Sequence, residues 1–179
     1  MTPDRLTSSA EGSPPPLGLP AERADDGDER LEDLIDEFDE RMAKFMAAYQ
    51  AEQDEAKRNK LLGETYPDPT DYVPRFRALA AQFKGTEAGA GALVWIATKL
   101  YGDTQEATVN ELLRDYKDSP LLEQVMHFLG QREDDESRVH LRSLLADSPH
   151  RNVQAGACHA LALNLRGLAA DTKRGEQKE

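Results

Sequence analysis

Apolar residues along this chain recur at helical spacing, and no window shows sustained period-two alternation. Leu31, Ile35, Phe38, Met42, Phe45 and Tyr49 alternate steps of four and three, which puts them on one stripe of a helix. Leu34 and Met46 widen the stripe, and charged residues fill the other faces. The spacing predicts a long amphipathic helix over 29–63, with Gly63 as its C-cap and Tyr66-Pro67-Asp68-Pro69 breaking the chain after it. The stripe gives out after Tyr49, at about three heptads, which is short for an autonomous coiled coil. Two uses for it stay open. The expected one is packing against the chain's own body; the other is self-association through Leu31, Ile35, Phe38, Met42, Phe45 and Tyr49.

From Thr70 onward a repeat sets in. "LAAQFKGTEA" begins at Leu79, "LLRDYKDSPL" at Leu112 and "LLADSPHRNV" at Leu144, with starts 33 and 32 residues apart. Each ends one helix, turns through Gly, Asp, Ser or Pro, and opens another, as stacked helical hairpins do. Three hairpins are predicted: 71–83 with 87–101, 106–116 with 120–130, and about 136–146 with 149–166. Ser119-Pro120 and Ser148-Pro149 each offer a capping Ser followed by Pro at the first helical position, where its missing N–H is harmless. Ala88, Ala92, Leu93, Trp95, Ile96 and Leu100 make one helix apolar over a wide arc, so it is expected between neighbours. Gly89 and Gly91 lie inside it, where each costs about 1 kcal/mol relative to Ala, and close helix approach is the expected reason.

The expected fold class is therefore all-α: one long amphipathic helix, then about three antiparallel hairpins in a HEAT- or TPR-like solenoid or an irregular bundle. The expected organisation is a disordered tail over 1–28, the long helix over 29–63, a hairpin domain over 70–168 and a disordered tail over 169–179. Residues 1–28 are rich in Pro, Ser, Gly and Asp and lack an apolar period. Pro14 to Pro16 are expected to be a solvated spacer rather than a polyproline ligand.

Charge narrows the partners. A net charge of −12 over 179 residues disfavours nucleic acid and anionic membrane surfaces, which need clustered Lys and Arg. The opening residues have no apolar run fit for a signal peptide, and no window is long enough to span a bilayer. As written, the chain is expected in the cytoplasm.

Candidate chemistry centres on Cys158, the one cysteine. It cannot form an intramolecular disulfide, and zinc sites needing two or four cysteines are excluded on count. On a helical wheel Val153, Ala157, Leu161, Leu165 and Leu168 share a face, with Cys158 at its edge and His159 turned to solvent. His150 lies eight residues before it, about 12 Å along the axis. Only a histidine from another helix, such as His127 or His140, would reach the thiol. Cys158 is accordingly expected to be a small buried hydrophobe. Glu136 and His140 fit an exposed i,i+4 contact. Asp26 to Glu29, "DGDE", lacks the alternating spacing of an EF-hand loop. No catalytic, cofactor-binding or metal-ligating residue is assigned, no cofactor is expected, and the chain is not expected to be an enzyme.

Two resemblances emerge from these residues. "LRSLLADSPHRNVQAGACHALALNL" resembles a HEAT-type repeat at Leu144, Leu145, Asp147, Val153, Ala157, Ala160 and Leu161, with Gln154 where an Arg is frequent. Across Phe38 to about Leu165 the chain resembles the helical region preceding the redoxin (thioredoxin-like) domain of some exported bacterial thiol–disulfide proteins. The shared elements are "YPDP" at Tyr66, "Y-x-x-RF-x-x-LA" from Tyr72, "AL-x-WI" from Ala92, and "SPHRNVQAGACHALA" from Ser148. Such proteins carry a Cys-x-x-Cys on a βαβ scaffold, and this chain has neither. No redox role passes to any residue here. The expected function is a non-catalytic helical-repeat module that binds a protein partner. The alternative is a detached helical part of a redoxin-type protein, which would move the expected location to the cell envelope.

Overall fold

The structure, a computed structural model, describes residues 20–132 and 134–176. Among them every regular element is helical. The helices are α1 (Pro20–Ala51), α2 (Glu55–Thr65), α3 (Val73–Gln82), α4 (Glu87–Lys99), α5 (Asp103–Asp115), α6 (Met126–Gln131), α7 (Asp135–Asp147) and α8 (Arg151–Glu176). Short 3₁₀ turns at Pro69–Tyr72 and Pro120–Val125 lead into α3 and α6.

The core is organised around α4. Its side chains are buried on all sides, from Ala88 through Ala97, because α1, α3, α5 and the 120–125 turn all pack against it. Small residues at its N-terminal end allow that crowding. A Cβ on Gly89 would lie 2.4 Å from the Phe83 carbonyl oxygen, and one on Gly91 2.5 Å from Leu31 Cδ2. The expected close approach between helices is thus present at Gly91, where α1 meets α4, while at Gly89 the crowding comes from the backbone of the turn that precedes α4. Larger side chains then fill the C-terminal half. Trp95 stacks on Phe76 with centroids 3.8 Å apart, and Phe38 meets both Trp95 and Tyr72 edge-on at 5.2 Å.

α1 is fastened to α3 by polar contacts that flank this cluster. Arg75 donates two hydrogen bonds to Glu37, at 2.7 and 2.6 Å, and Arg41 donates to the Tyr72 hydroxyl at 2.9 Å. The Arg75 guanidinium holds the Glu37 carboxyl below the usual carboxylate range. The predicted stripe is therefore divided. Leu34, Phe38 and Phe45 are buried, while Leu31, Ile35 and Met42 are half-buried at the edge of the core.

A second layer forms around α8, which packs against α6, α7 and the 120–125 turn. Val153, Ala157, Ala160 and Asn164 make its buried row. Asn164 is held there by Arg138, which donates to its side-chain oxygen at 3.0 Å, while the Asn164 amide donates to the Arg132 carbonyl. Leu122 and Val125, fully buried in the 120–125 turn, join this layer to the α4 layer.

Several boundaries differ from expectation. The single helix over 29–63 is two: α1 stops at Ala51, and Asp54 caps α2 by accepting from the Lys57 N–H at 3.0 Å. Gly63 lies inside α2, which ends at Thr65 and is followed by Tyr66 as its C-cap. α1 starts at Pro20, so the predicted tail boundary at 28 lies inside a helix. Asp26 of the "DGDE" stretch pairs with Arg30 at 3.0 Å along that helix. α8 continues to Glu176 rather than ending near 168. Pro149 precedes α8 instead of opening it, and Ser148 caps the turn by accepting from the His150 N–H at 3.3 Å. Pro14 to Pro16 lie outside the described residues.

Two glycine substitutions test this packing in opposite directions. Gly89→Ala pushes a methyl group into backbone and is expected to cost about 1–3 kcal/mol. Gly63→Ala enters open space within a helix and is expected to gain about 0.5–1 kcal/mol. Urea unfolding of both variants checks the pair; equal signs would contradict the packing described.

Candidate functional site

Cys158 is exposed, contrary to the expected buried position. The reason lies on the helical wheel. Asn164, a polar residue, belongs to the buried row, and this rotates the packed face away from Cys158 and leaves Leu165 at the surface. His159 is exposed as expected. The His150 ring nitrogen Nε2 lies 2.9 Å from the Asp118 carbonyl oxygen, joining the start of α8 to the turn after α5. His140 Nε2 stands 3.7 Å from Glu136 Oε1 in the exposed i,i+4 contact anticipated. His127 packs its ring on Phe128 with centroids 3.6 Å apart. Among the described residues, no group of three His, Cys, Asp or Glu side chains is placed to hold a metal ion.

A polar cleft of about 330 Å³ opens where the α3–α4 and α5–120 turns meet, lined by Thr86, Glu87, Arg114, Asp115, Lys117 and Asp118 among others. Thr86 caps α4 by accepting from the Gly89 N–H at 3.3 Å, and the Tyr116 hydroxyl accepts from the Gly85 N–H at 3.2 Å. Asp115 sits between Arg114 at 2.7 Å and Lys84 at 3.2 Å. Hydrogen bonds first from Arg114 and then from Lys84 bring its carboxyl down to about 2. A carboxylate ionised that firmly is a poor proton donor or acceptor near neutral pH, where acid–base catalysis needs a group poised close to the working pH. Asp115 is in this cleft as a paired charge, held by Arg114 and Lys84.

A groove of about 390 Å³ runs between α1 and the 120–125 turn, over α4. Leu31, Ile35, Val94, Trp95 and Leu121 give it apolar walls, with Thr98, Lys99 and Gln124 adding polar groups. The Trp95 indole N–H is buried without a hydrogen-bond partner among the described residues. Its ring is fixed by Phe76 and Phe38, so the aromatic stacking keeps the donor there. Lys99 lies 5.5 Å over the face of Phe38.

The third surface is the α1–α2 hairpin. No residue of α2 is buried, and Met46, Leu62 and Tyr66 are exposed. Phe45 is buried apart from the main core, against Tyr49 and Tyr66. The break that creates this hairpin went unpredicted because neither Gly nor Pro marks it. Its one signal is Asp54, a strong N-cap residue followed by Glu55 in the first turn. Among the described residues no helix is long and apolar enough to cross a membrane.

Set beside protein-family models, curated proteins and solved structures, the chain matches none. Among the described residues, its surface offers grooves and exposed apolar side chains on a helical frame.

Exposure of Cys158 has a direct consequence. In the folded protein at neutral pH, a thiol reagent is expected to label Cys158 to completion without denaturant. Cys158→Ser is expected to leave the urea midpoint within about 0.5 kcal/mol of wild type, as for a surface substitution. Labelling that appears only in urea would restore the buried position.

Proposed function

We propose that this chain is a non-catalytic helical-repeat module that binds a protein partner. The observation behind this reading is the end of the stack. Hairpins in a stack cover one another's apolar faces, and a terminal hairpin needs a polar outer face unless something else covers it. In the last hairpin Leu145 on α7 is 37 % exposed and Leu165 on α8 is 42 % exposed. We read these open apolar side chains as part of a contact surface on an otherwise charged chain. The HEAT-like spacing through Leu144, Val153, Ala157 and Leu161 agrees with it, since such repeats usually serve protein partners.

Leu145→Asp with Leu165→Asp is expected to abolish crosslinking to a specific partner in native cells while the thermal melt stays within a few degrees. Retention of that partner after this change, and after charge reversals on each other exposed face, would refute the module reading.

A second reading is a helical part acting beside a separate redoxin-type domain. It rests on the Tyr72, Arg75, Phe76, Trp95 and Ile96 pattern. All but Arg75 are buried side chains of the α4 layer, and Arg75 ties that layer to α1. The resemblance is therefore one of framework, which would be shared whether or not a redox domain is attached. Adding the chain to a redoxin partner is expected to change that partner's rate of insulin reduction. An unchanged rate, with no complex detected, would discard this second reading.

A further inference from the structure

Between buried Phe45 and buried Pro67 lie twenty-one consecutive residues, 46–66, of which none is buried. Elsewhere among the described residues within 26–169 the longest such run is seven, 101–107. α2 occupies the middle of the long run, and its own supports are local. Asp54 accepts from the Lys57 N–H at 3.0 Å, and Lys60 pairs with Glu64 at 3.9 Å. Arg58 reaches α1 at 6.0 Å over the Tyr49 ring, and beyond the helix Tyr66 meets Phe45 edge-on at 5.3 Å. A helix of eleven residues is marginal in water by itself, and an exposed ion pair adds little to it. Segments with few buried contacts open at far lower cost than the core.

α1 is docked on the body without help from α2. A Cβ on Gly27 would lie 2.8 Å from Phe83 Cδ1, Leu31 comes down over Gly91, and Leu34 and Phe38 are buried in the core. Glu37 and Arg41 add their hydrogen bonds to Arg75 and Tyr72. A break in α2 therefore separates two pieces that the α4 layer still holds together.

The side chains in the run say which enzyme fits it. Lys57, Arg58 and Lys60 stand within four residues of one another there. Lys84 and Lys117 are also exposed, but their turns are drawn tight. Phe83 and Tyr116 beside them are buried, Lys84 pairs with Asp115, and the Gly85 N–H donates to the Tyr116 hydroxyl. We infer that α2 is the site at which an endoprotease specific for basic residues cleaves the folded chain. α2 opens locally, and one water hydrolyses the peptide bond after Lys57, Arg58 or Lys60 to a new carboxylate and a new amine. α1 then stays seated on the body without covalent continuity. None of this draws on Leu145 or Leu165, so it stands apart from the contact surface proposed above.

Limited digestion of the full chain with trypsin, read by intact mass and gel filtration, tests the assignment. Within residues 26–169 the first bond cut is expected to follow Lys57, Arg58 or Lys60, with the two pieces co-eluting in native buffer and parting in urea. Lys57→Gln with Arg58→Gln and Lys60→Gln is expected to slow the first internal cut about tenfold. Gly63→Ala strengthens the helix and removes no cut site, so it is expected to slow that cut about threefold. Amide exchange in α2 is expected to ignore urea well below the unfolding midpoint, while exchange in α4 accelerates. A first internal cut elsewhere, pieces that part in native buffer, or α2 exchange that follows urea as α4 does would overturn the inference.

Discussion

The packing of Trp95 against Phe76, with Phe38 set edge-on, is the contact on which the rest of the molecule depends. It brings α1, α3 and α4 to one point. Aromatic pairs contribute about 0.5–1.5 kcal/mol beyond their buried area, and truncating such a ring costs about 3–5 kcal/mol. This packing also determines what surrounds it. With Trp95 fixed, α4 must be enclosed on every side, its N-terminal end must be small, and Leu31 must come down over Gly91.

Enclosure of α4 sets the distribution of exposed and buried surface. One neighbour, α1, is longer than the body it covers, so its C-terminal end leaves the core and acquires α2 as its only substantial companion. At the far end, α8 takes the equivalent place, enclosed by α6 and α7 and by the 120–125 turn. Its buried Asn164 is tolerable because Arg138 and the Arg132 carbonyl satisfy it; an unpaired amide there would cost about 1–3 kcal/mol.

Much of this was legible in the sequence. The all-α class, the first and third hairpins and the enclosed α4 follow from apolar spacing, from Ser148, and from Gly89 and Gly91, whereas the helix expected over 120–130 as the partner of α5 is a 3₁₀ turn followed by α6, which packs on α8 instead. What escaped was local. Pro20 at the first position of α1 is a helix-start signal, masked by the polar residues after it. Asp54 breaks a run of good helix formers on either side, where intrinsic propensity argues for continuity. Asn164 in a buried row reverses the assignment of Cys158, because a wheel ranks residues by polarity and cannot anticipate a hydrogen-bonded amide. The groove over α4 was the least legible, since it is built from residues on separate elements, Leu31 and Leu121.

The Pro120–Val125 turn has a consequence for how the chain comes apart. A 3₁₀ segment this short is held weakly by its own hydrogen bonds, and its order comes from Leu122 and Val125 being gripped by both layers. Loosening either layer releases the grip on the other. Two groups of helices that share few other contacts are thereby made to open together, and six residues convert a pair of adjacent bodies into one cooperative unit.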